Sequence, residues 1–228
     1  MKNNFLFRIF LVVFLCSYSL NLAAQEKPPK DDLQLWTESH VFFPRFDPKI
    51  NYGFINISRI GREVSTLTDE RNGGFIGYQF APEFTLTAIG MHINQDPIKE
   101  VHTKQDRVML DATGSIEIEK DFHFIYRARY EKQYRILQED GWEIRPRIGL
   151  DHDYYIDNVH IKPFVNTEGF YRSLTSEWYR LRTLVGVNFP IDPSFSCDLY
   201  VGKQNNRDPS ATDLTMIGLT FKMKMPDF

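Results

Sequence analysis

From Arg107 to Tyr155, apolar and charged side chains alternate residue by residue through three consecutive runs, and period two places them on opposite faces of β-strands. In the first run Val108, Leu110, Ala112, Gly114, Ile116 and Ile118 share one face, while Asp111, Glu117 and Glu119 share the other. Beyond a tight turn at Lys120-Asp121, Phe122, Phe124, Tyr126, Ala128, Tyr130 and Tyr134 oppose Arg127, Arg129, Glu131 and Arg135. The third run starts at Trp142 and sets Ile144, Pro146, Ile148 and Leu150 against Glu143, Arg145, Arg147, Asp151 and Asp153. One face suits hydrocarbon and the other is densely ionic.

Alternation has no sign. A soluble lipocalin-like barrel would enclose the apolar face, and a membrane barrel would turn it outward. Three features favour the second arrangement. The apolar face mixes Gly and Ala with Ile and Phe, which lipid tolerates and a close-packed soluble core does not. Aromatic residues gather towards strand ends, as interfacial girdles do: Tyr126, Tyr130, Tyr134, Trp142, Tyr154, Tyr155, Tyr171, Trp178, Tyr179 and Phe189. The ionic face carries both signs on neighbouring strands, Glu117 and Glu119 beside Arg127 and Arg129, which suits a narrow lumen filled by ion pairs.

The N-terminus reads as an export signal. Lys2 and Arg8 precede an apolar run from Ile9 to Tyr18 that ends at Leu22-Ala23-Ala24, with cleavage expected after Ala24. No stretch reaches the roughly 20 apolar residues of a membrane helix. The expected organisation is a signal peptide over 1–24, a Lys/Pro-rich flexible leader over 25–32 and one barrel domain over 33–228. Cys197 is then the only mature cysteine, so no internal disulfide is expected. A formal net charge of −3 gives no basic field for nucleic acid.

Turn residues divide the chain into roughly eleven strand runs, whereas bacterial single-chain barrels have even numbers, so ten or twelve strands are expected. Thr66–Gly73 and Gln95–Asp106 read as polar loops. Short connections at Ala81, Lys120, Ile156 and Pro190 would then alternate with longer ones at Thr66, Gln95, Gln138, Ser173 and Asn205. Outer-membrane barrels have this asymmetry between their two ends.

Scattered positions also resemble a known family. Leu35-Trp36, Gly77-Tyr78, the run Arg127, Arg129, Glu131 and Arg135, then Arg145, Arg147, Glu168 with Phe170, Arg182 with Gly186, and Gly202 are together similar to the exported barrel proteins of domain of unknown function 2490, over about Leu33 to Phe228. Where that family's pattern has His-Arg, this chain has Asp106-Arg107. The resemblance implies an outer-membrane β-barrel and brings no activity with it.

The expected fold is therefore an all-β, antiparallel transmembrane β-barrel of about ten to twelve strands, in the outer membrane of a Gram-negative bacterium. Its lumen would hold an ion-pair network of Glu117, Glu119, Arg127, Arg129, Glu131, Arg135, Glu143, Arg145, Arg147, Asp151, Asp153, Glu168, Arg180 and Arg182. The arginines could form an anion-selective constriction or bind an anionic ligand, or they could simply neutralise the carboxylates and lock the lumen. The leading function is a non-enzymatic envelope barrel, structural or a narrow small-solute channel. Its partners would be outer-membrane lipid and a small anionic solute, with no nucleic acid and no cofactor.

Two alternatives compete: a lipid-modifying hydrolase and a soluble periplasmic lipid-binding barrel. The hydrolase needs a Ser–His pair on the lipid-facing wall, and neither His92 nor His152 has a serine predictably beside it. Asp151-His152-Asp153 offers no metal site, because only the two aspartates share a face. No catalytic, cofactor or metal residue is expected.

Overall fold

The alternation resolves into strands in the computed structural model, which describes residues 31–98, 101–135, 141–157, 159–207 and 211–226. The signal peptide and residues 25–30 of the leader lie outside the described residues. The strands are β1 (Asp31–Phe42), β2 (Ile50–Gly61), β3 (Thr66–Ala81), β4 (Phe84–Ile98), β5 (Val101–Glu119), β6 (Phe122–Arg135), β7 (Gly141–His152), β8 (Tyr154–Ile156), β9 (Val159–Arg172), β10 (Glu177–Asp192), β11 (Phe195–Asn206) and β12 (Asp213–Lys224). All but β8 belong to one ring, closed by pairing of β9 with β10; β8 adds only a short hairpin arm to β9.

The ring holds eleven strands, within the expected ten to twelve but odd where bacterial single-chain barrels are even. Strands joined by hairpins alternate in direction, so an odd ring must bring two that point the same way together. These are β1 and β12, parallel in register from Asp31↔Asp213 to Phe42↔Lys224. Asp31 and Asp32 are thus strand rather than leader, and the Asp32 carboxylate accepts from Gln34 Nε2 at 2.8 Å and the Glu63 amide at 2.9 Å. Closure leaves the ring itself, among the described residues, without a free edge strand.

Thr66–Gly73 and Gln95–Asp106 are not loops. Thr66–Gly73 is the start of β3, and the described residues of the other segment continue the β4–β5 hairpin, paired at Gln95↔Thr103 and, past a register shift, at Ile98↔Val101. Polar composition misleads here because the interior side of the wall is itself polar: Asp69 and Arg71 are buried. The expected asymmetry in loop length therefore becomes an asymmetry in strand extension. One end carries the tight turns at Pro82-Glu83, Lys120-Asp121 and Pro193-Ser194, and at the other end β3, β4 and β5 run on as polar hairpins.

Side-chain direction follows the alternation around the ring. Ile116, Ile148, Val185 and Val201 are 48%, 56%, 53% and 57% exposed on the outer surface, while Glu131, Glu168 and Arg145 are buried. The outer face also carries an aromatic arc across β6, β7, β9 and β10, with ring centroids 6.1 Å apart for Tyr130–Trp142, 6.0 Å for Trp142–Tyr171 and 5.6 Å for Tyr171–Trp178. Tyr78, Phe80 and Phe84 form a second group at the tight-turn end. Tyr179 is not part of either. A bulge between Trp178 and Arg180 turns it inward, where its hydroxyl donates to Glu143 Oε1 at 2.7 Å.

The interior is packed rather than open. Ile55, Ile89, Met91, Ile93 and Met109 cluster along one wall, and Trp36, Leu184, Tyr200 and Met216 along another, with ionic side chains between them. Pro146 is tolerated within β7 because the β7–β9 ladder passes from Ile144 directly to Arg147, so its missing N–H costs little. Gly218 on β12 lies beneath the Tyr200 ring on β11, where an added Cβ would overlap Tyr200 Cζ and Oη. Gly218→Ala should therefore displace Tyr200 and cost about 1–3 kcal/mol, read as a lower urea midpoint of unfolding.

Candidate functional site

Hairpin register decides which charges meet. The turn at Lys120-Asp121, with a one-residue register shift between Glu117 and Glu119, sets Thr113 opposite Arg127 and Asp111 opposite Arg129, so the partners of these arginines are not Glu117 and Glu119. Glu117 pairs across the ladder with His123 instead. Both Glu117 and Glu119 are exposed at the tight-turn rim, outside the network expected to hold them.

Between β6 and β7 the register sets like charges face to face: Arg127↔Arg147, Arg129↔Arg145 and Glu131↔Glu143. Such rows repel unless flanking strands supply the opposite sign. β9 supplies Glu168, whose carboxylate meets Arg127, Arg145 (3.1 Å), Arg147 (3.1 Å) and Arg182 (3.5 Å). β5 supplies Asp111, which holds Arg129 through parallel bonds of 2.6 Å from Nε and Nη2. Glu131 takes Arg107 at 2.5 Å and Arg145 at 2.7 Å, with Gln133 donating at 3.0 Å.

These pairs form one connected network in which Arg107, Arg127, Arg129, Arg145, Arg147 and Arg182 share Asp111, Glu131 and Glu168. The carboxylates around it are engaged elsewhere. Asp69 is divided between Arg59 and Arg71, Glu143 meets Arg172 at 3.8 Å, and Glu38 is held by His40. Aromatic faces bound the network. Arg59 and Arg182 lie 3.8 and 4.7 Å from the Trp36 centroid, and Arg145 lies 4.5 Å from that of Phe170.

Arg180 faces inward as expected but forms no ion pair with a carboxylate among the described residues. Its Nε donates to Asn206 at 2.7 Å, and its guanidinium lies over Tyr179 and Phe170. The side chain of Arg135 lies outside the described residues. Arg107, Arg59, Asp69, Arg71 and Glu38 belong to the ionic interior without having been expected there, and Asp111, expected on the ionic face, joins the network as well. Asp69, Arg71 and Gly73 keep the period-two spacing of the other strands, a signal hidden by reading the segment as a loop.

Asp151 and Asp153 converge at the tight-turn rim, away from the arginine network. His152 points the other way, with Nδ1 2.9 Å from the Asp121 carbonyl, as the strand alternation requires. His123 from β6 completes a group whose ligand atoms lie within 4.8 Å of one another. Lys162 Nζ stands 3.3 Å from Asp151 and 3.2 Å from Asp153, so an ammonium already supplies the cation there. Burial raises the Asp153 pKa, but hydrogen bonds from His160 and Lys162 outweigh it and hold the carboxyl below its ordinary range.

On the outer wall His92 Nδ1 meets Asp106 Oδ1 at 2.8 Å. Their cross-strand row continues through Asn72 and Asn56, and among the described residues no serine hydroxyl hydrogen-bonds a histidine.

A closed eleven-stranded β-barrel, mostly antiparallel and carrying a charged network inside, is the class these features define. The chain belongs to the family described as "Protein of unknown function (DUF2490)", which matches residues 33–215. No curated protein and no solved structure matches it.

Proposed function

We propose that the protein is an integral outer-membrane β-barrel that catalyses no reaction and whose ionic interior admits a small anionic solute while excluding large ones. One observation carries the membrane reading: the exposed side chains along the belt of the wall are predominantly apolar around the ring, while most charged side chains at that level are turned in. In water this would be the costlier arrangement on both counts, because apolar surface would be wetted and charge desolvated. In hydrocarbon the sign of both costs reverses, and a closed barrel satisfies every wall N–H and C=O.

The geometry suits a bilayer in detail. On β5 the outward side chains from Val108 to Ile118 are apolar or small, and roughly 9 to 11 tilted residues cross a bilayer. Beyond that belt the outward row Asn56, Asn72, His92 and Asp106 is polar, as expected where the strands leave the lipid. The Tyr130, Trp142, Tyr171 and Trp178 arc then stands at the interface.

Exclusion of large solutes follows from the side chains inside, since Phe170, Ile93, Met216, Glu131 and Glu168 are fully buried. Washing membranes with alkaline carbonate tests the placement. The protein should stay in the pellet, need detergent for release, and migrate faster on electrophoresis before boiling than after it. Release by carbonate alone would return the reading to a soluble periplasmic barrel.

A further inference from the structure

We propose that the barrel interior holds a phosphate-type oxyanion against Arg127 and Arg147, entering from the end that carries the tight turns. The inference rests on the proposed small-anion interior and names the class of solute and the place it binds. The first observation is charge: within the connected network there are twice as many guanidiniums as carboxylates. Buried charge is retained only where it is compensated. Of the carboxylates outside that network, Glu38 lies in the field of Arg147 and Arg129, and its single charge still leaves the guanidiniums in excess.

The second observation is unfilled hydrogen-bonding capacity at the same place. Nε of Arg127 and Nε of Arg147 are buried and have no partner, and so is Asn166 Oδ1. Arg127 and Arg147 are direct cross-strand neighbours, and Asn166 is two residues from their shared Glu168 on the same face of β9. Two donors and one acceptor therefore stand on three adjacent strands. A hydrogen phosphate or a singly protonated phosphomonoester meets that set: its oxygens accept from the two N–H groups, a P–O–H arm can donate to the amide oxygen, and its charge offsets the excess. Chloride offers one charge and no donor, so it satisfies less of the site.

The third observation is access. On β6, β7 and β9 the inward side chains pass from buried to half-buried at Arg129, Arg147 and Asn166, so the interior loosens towards the tight-turn end. Arg147 is 29% exposed and Arg127 13%, against 7% for Arg145 and 6% for Arg182 deeper in. The two arginines whose Nε lacks a partner are thus on the tight-turn side of the network, Arg147 at its open edge, with Glu168 and Phe170 as the floor.

The test is calorimetric titration of inorganic phosphate into the detergent-purified chain, with folding followed by mobility before and after boiling. Saturable binding is expected, weakened at least about tenfold in Arg147→Gln and in Arg127→Gln. Lys132→Gln, on the outer wall, should bind as the parent does. A second arm titrates a short-chain phosphatidic acid: tighter binding than inorganic phosphate assigns the site to a lipid headgroup, and the reverse to a soluble solute. A parent protein that requires detergent and shifts on boiling but shows no saturable phosphate binding overturns the site and leaves the membrane barrel standing. Unchanged binding in both folded arginine variants also overturns it. Carbonate release, by contrast, counts against the membrane placement alone.

Discussion

Glu168→Gln should lower the stability of the barrel by about 3–5 kcal/mol, the loss expected when one partner is removed from a buried ion network. Glu168 is 1% exposed and is the one carboxylate in contact with Arg127, Arg145, Arg147 and Arg182 together. Glutamine keeps the shape of the side chain and one acceptor oxygen, so packing is nearly conserved and what is lost is charge. The four guanidiniums are then left with Asp111 and Glu131, which already serve Arg129 and Arg107. The measurement is a urea titration in detergent micelles or liposomes, scored by the band that migrates as folded before boiling. Glu117→Gln, exposed at the rim, should stay within about 0.5 kcal/mol of the parent. Adding Arg182→Met to Glu168→Gln should restore part of the loss, because it removes an uncompensated charge beside Phe170 and Trp36. Unchanged stability in Glu168→Gln would mean that the arginines find their counter-charge elsewhere.

Much of this arrangement was legible in the chain. The alternation from Val108 to Leu150 fixed strands, faces and the inward set Arg127, Arg129, Glu131, Arg145 and Arg147, because period two leaves a side chain no third option. Pairing was less legible. Glu117 and Glu119 looked like partners of Arg127 and Arg129 by proximity in sequence, but a tight turn pairs residues at nearly equal distances from it, and the one-residue register shift between Glu117 and Glu119 then brings Asp111 and Thr113 opposite the arginines instead of Ala112 and Gly114. Segment type failed where composition stood in for pattern: Asp69 and Arg71 made Thr66–Gly73 look like a loop although both fill the interior. Strand parity failed for a different reason. Even numbers follow from all-antiparallel closure, and nothing local in β1 or β12 says that their pairing is parallel. Tyr179 needed the bulge beside it, which exists only in the pairing with β9. Local periodicity therefore carried the faces, while contacts set by turns, bulges and ring closure lay beyond it.

Ile148→Arg should cost about 2–4 kcal/mol if the outer wall meets hydrocarbon, the depth-dependent cost of a cation near the middle of a bilayer. Ile148 sits midway along the outward face of β7, between Ile144 and Leu150, and is 56% exposed. In a water-soluble barrel the same replacement would put a charged side chain where water already is, and surface substitutions of that kind change stability by about 0.5 kcal/mol or less. The two environments thus differ in magnitude by more than the error of an unfolding titration. Asn72→Arg supplies the depth control. It lies in the polar outward row with His92 and Asp106, beyond the apolar belt, and there the cost should fall to about 0–1 kcal/mol. Both variants are read as the folding equilibrium into liposomes. A large loss at Ile148 with little at Asn72 places the bilayer on the belt between the aromatic groups. Small losses at both positions would sink the membrane placement. Large losses at both would keep the placement and move the lipid boundary past Asn72, carrying the His92–Asp106 pair into the membrane with it.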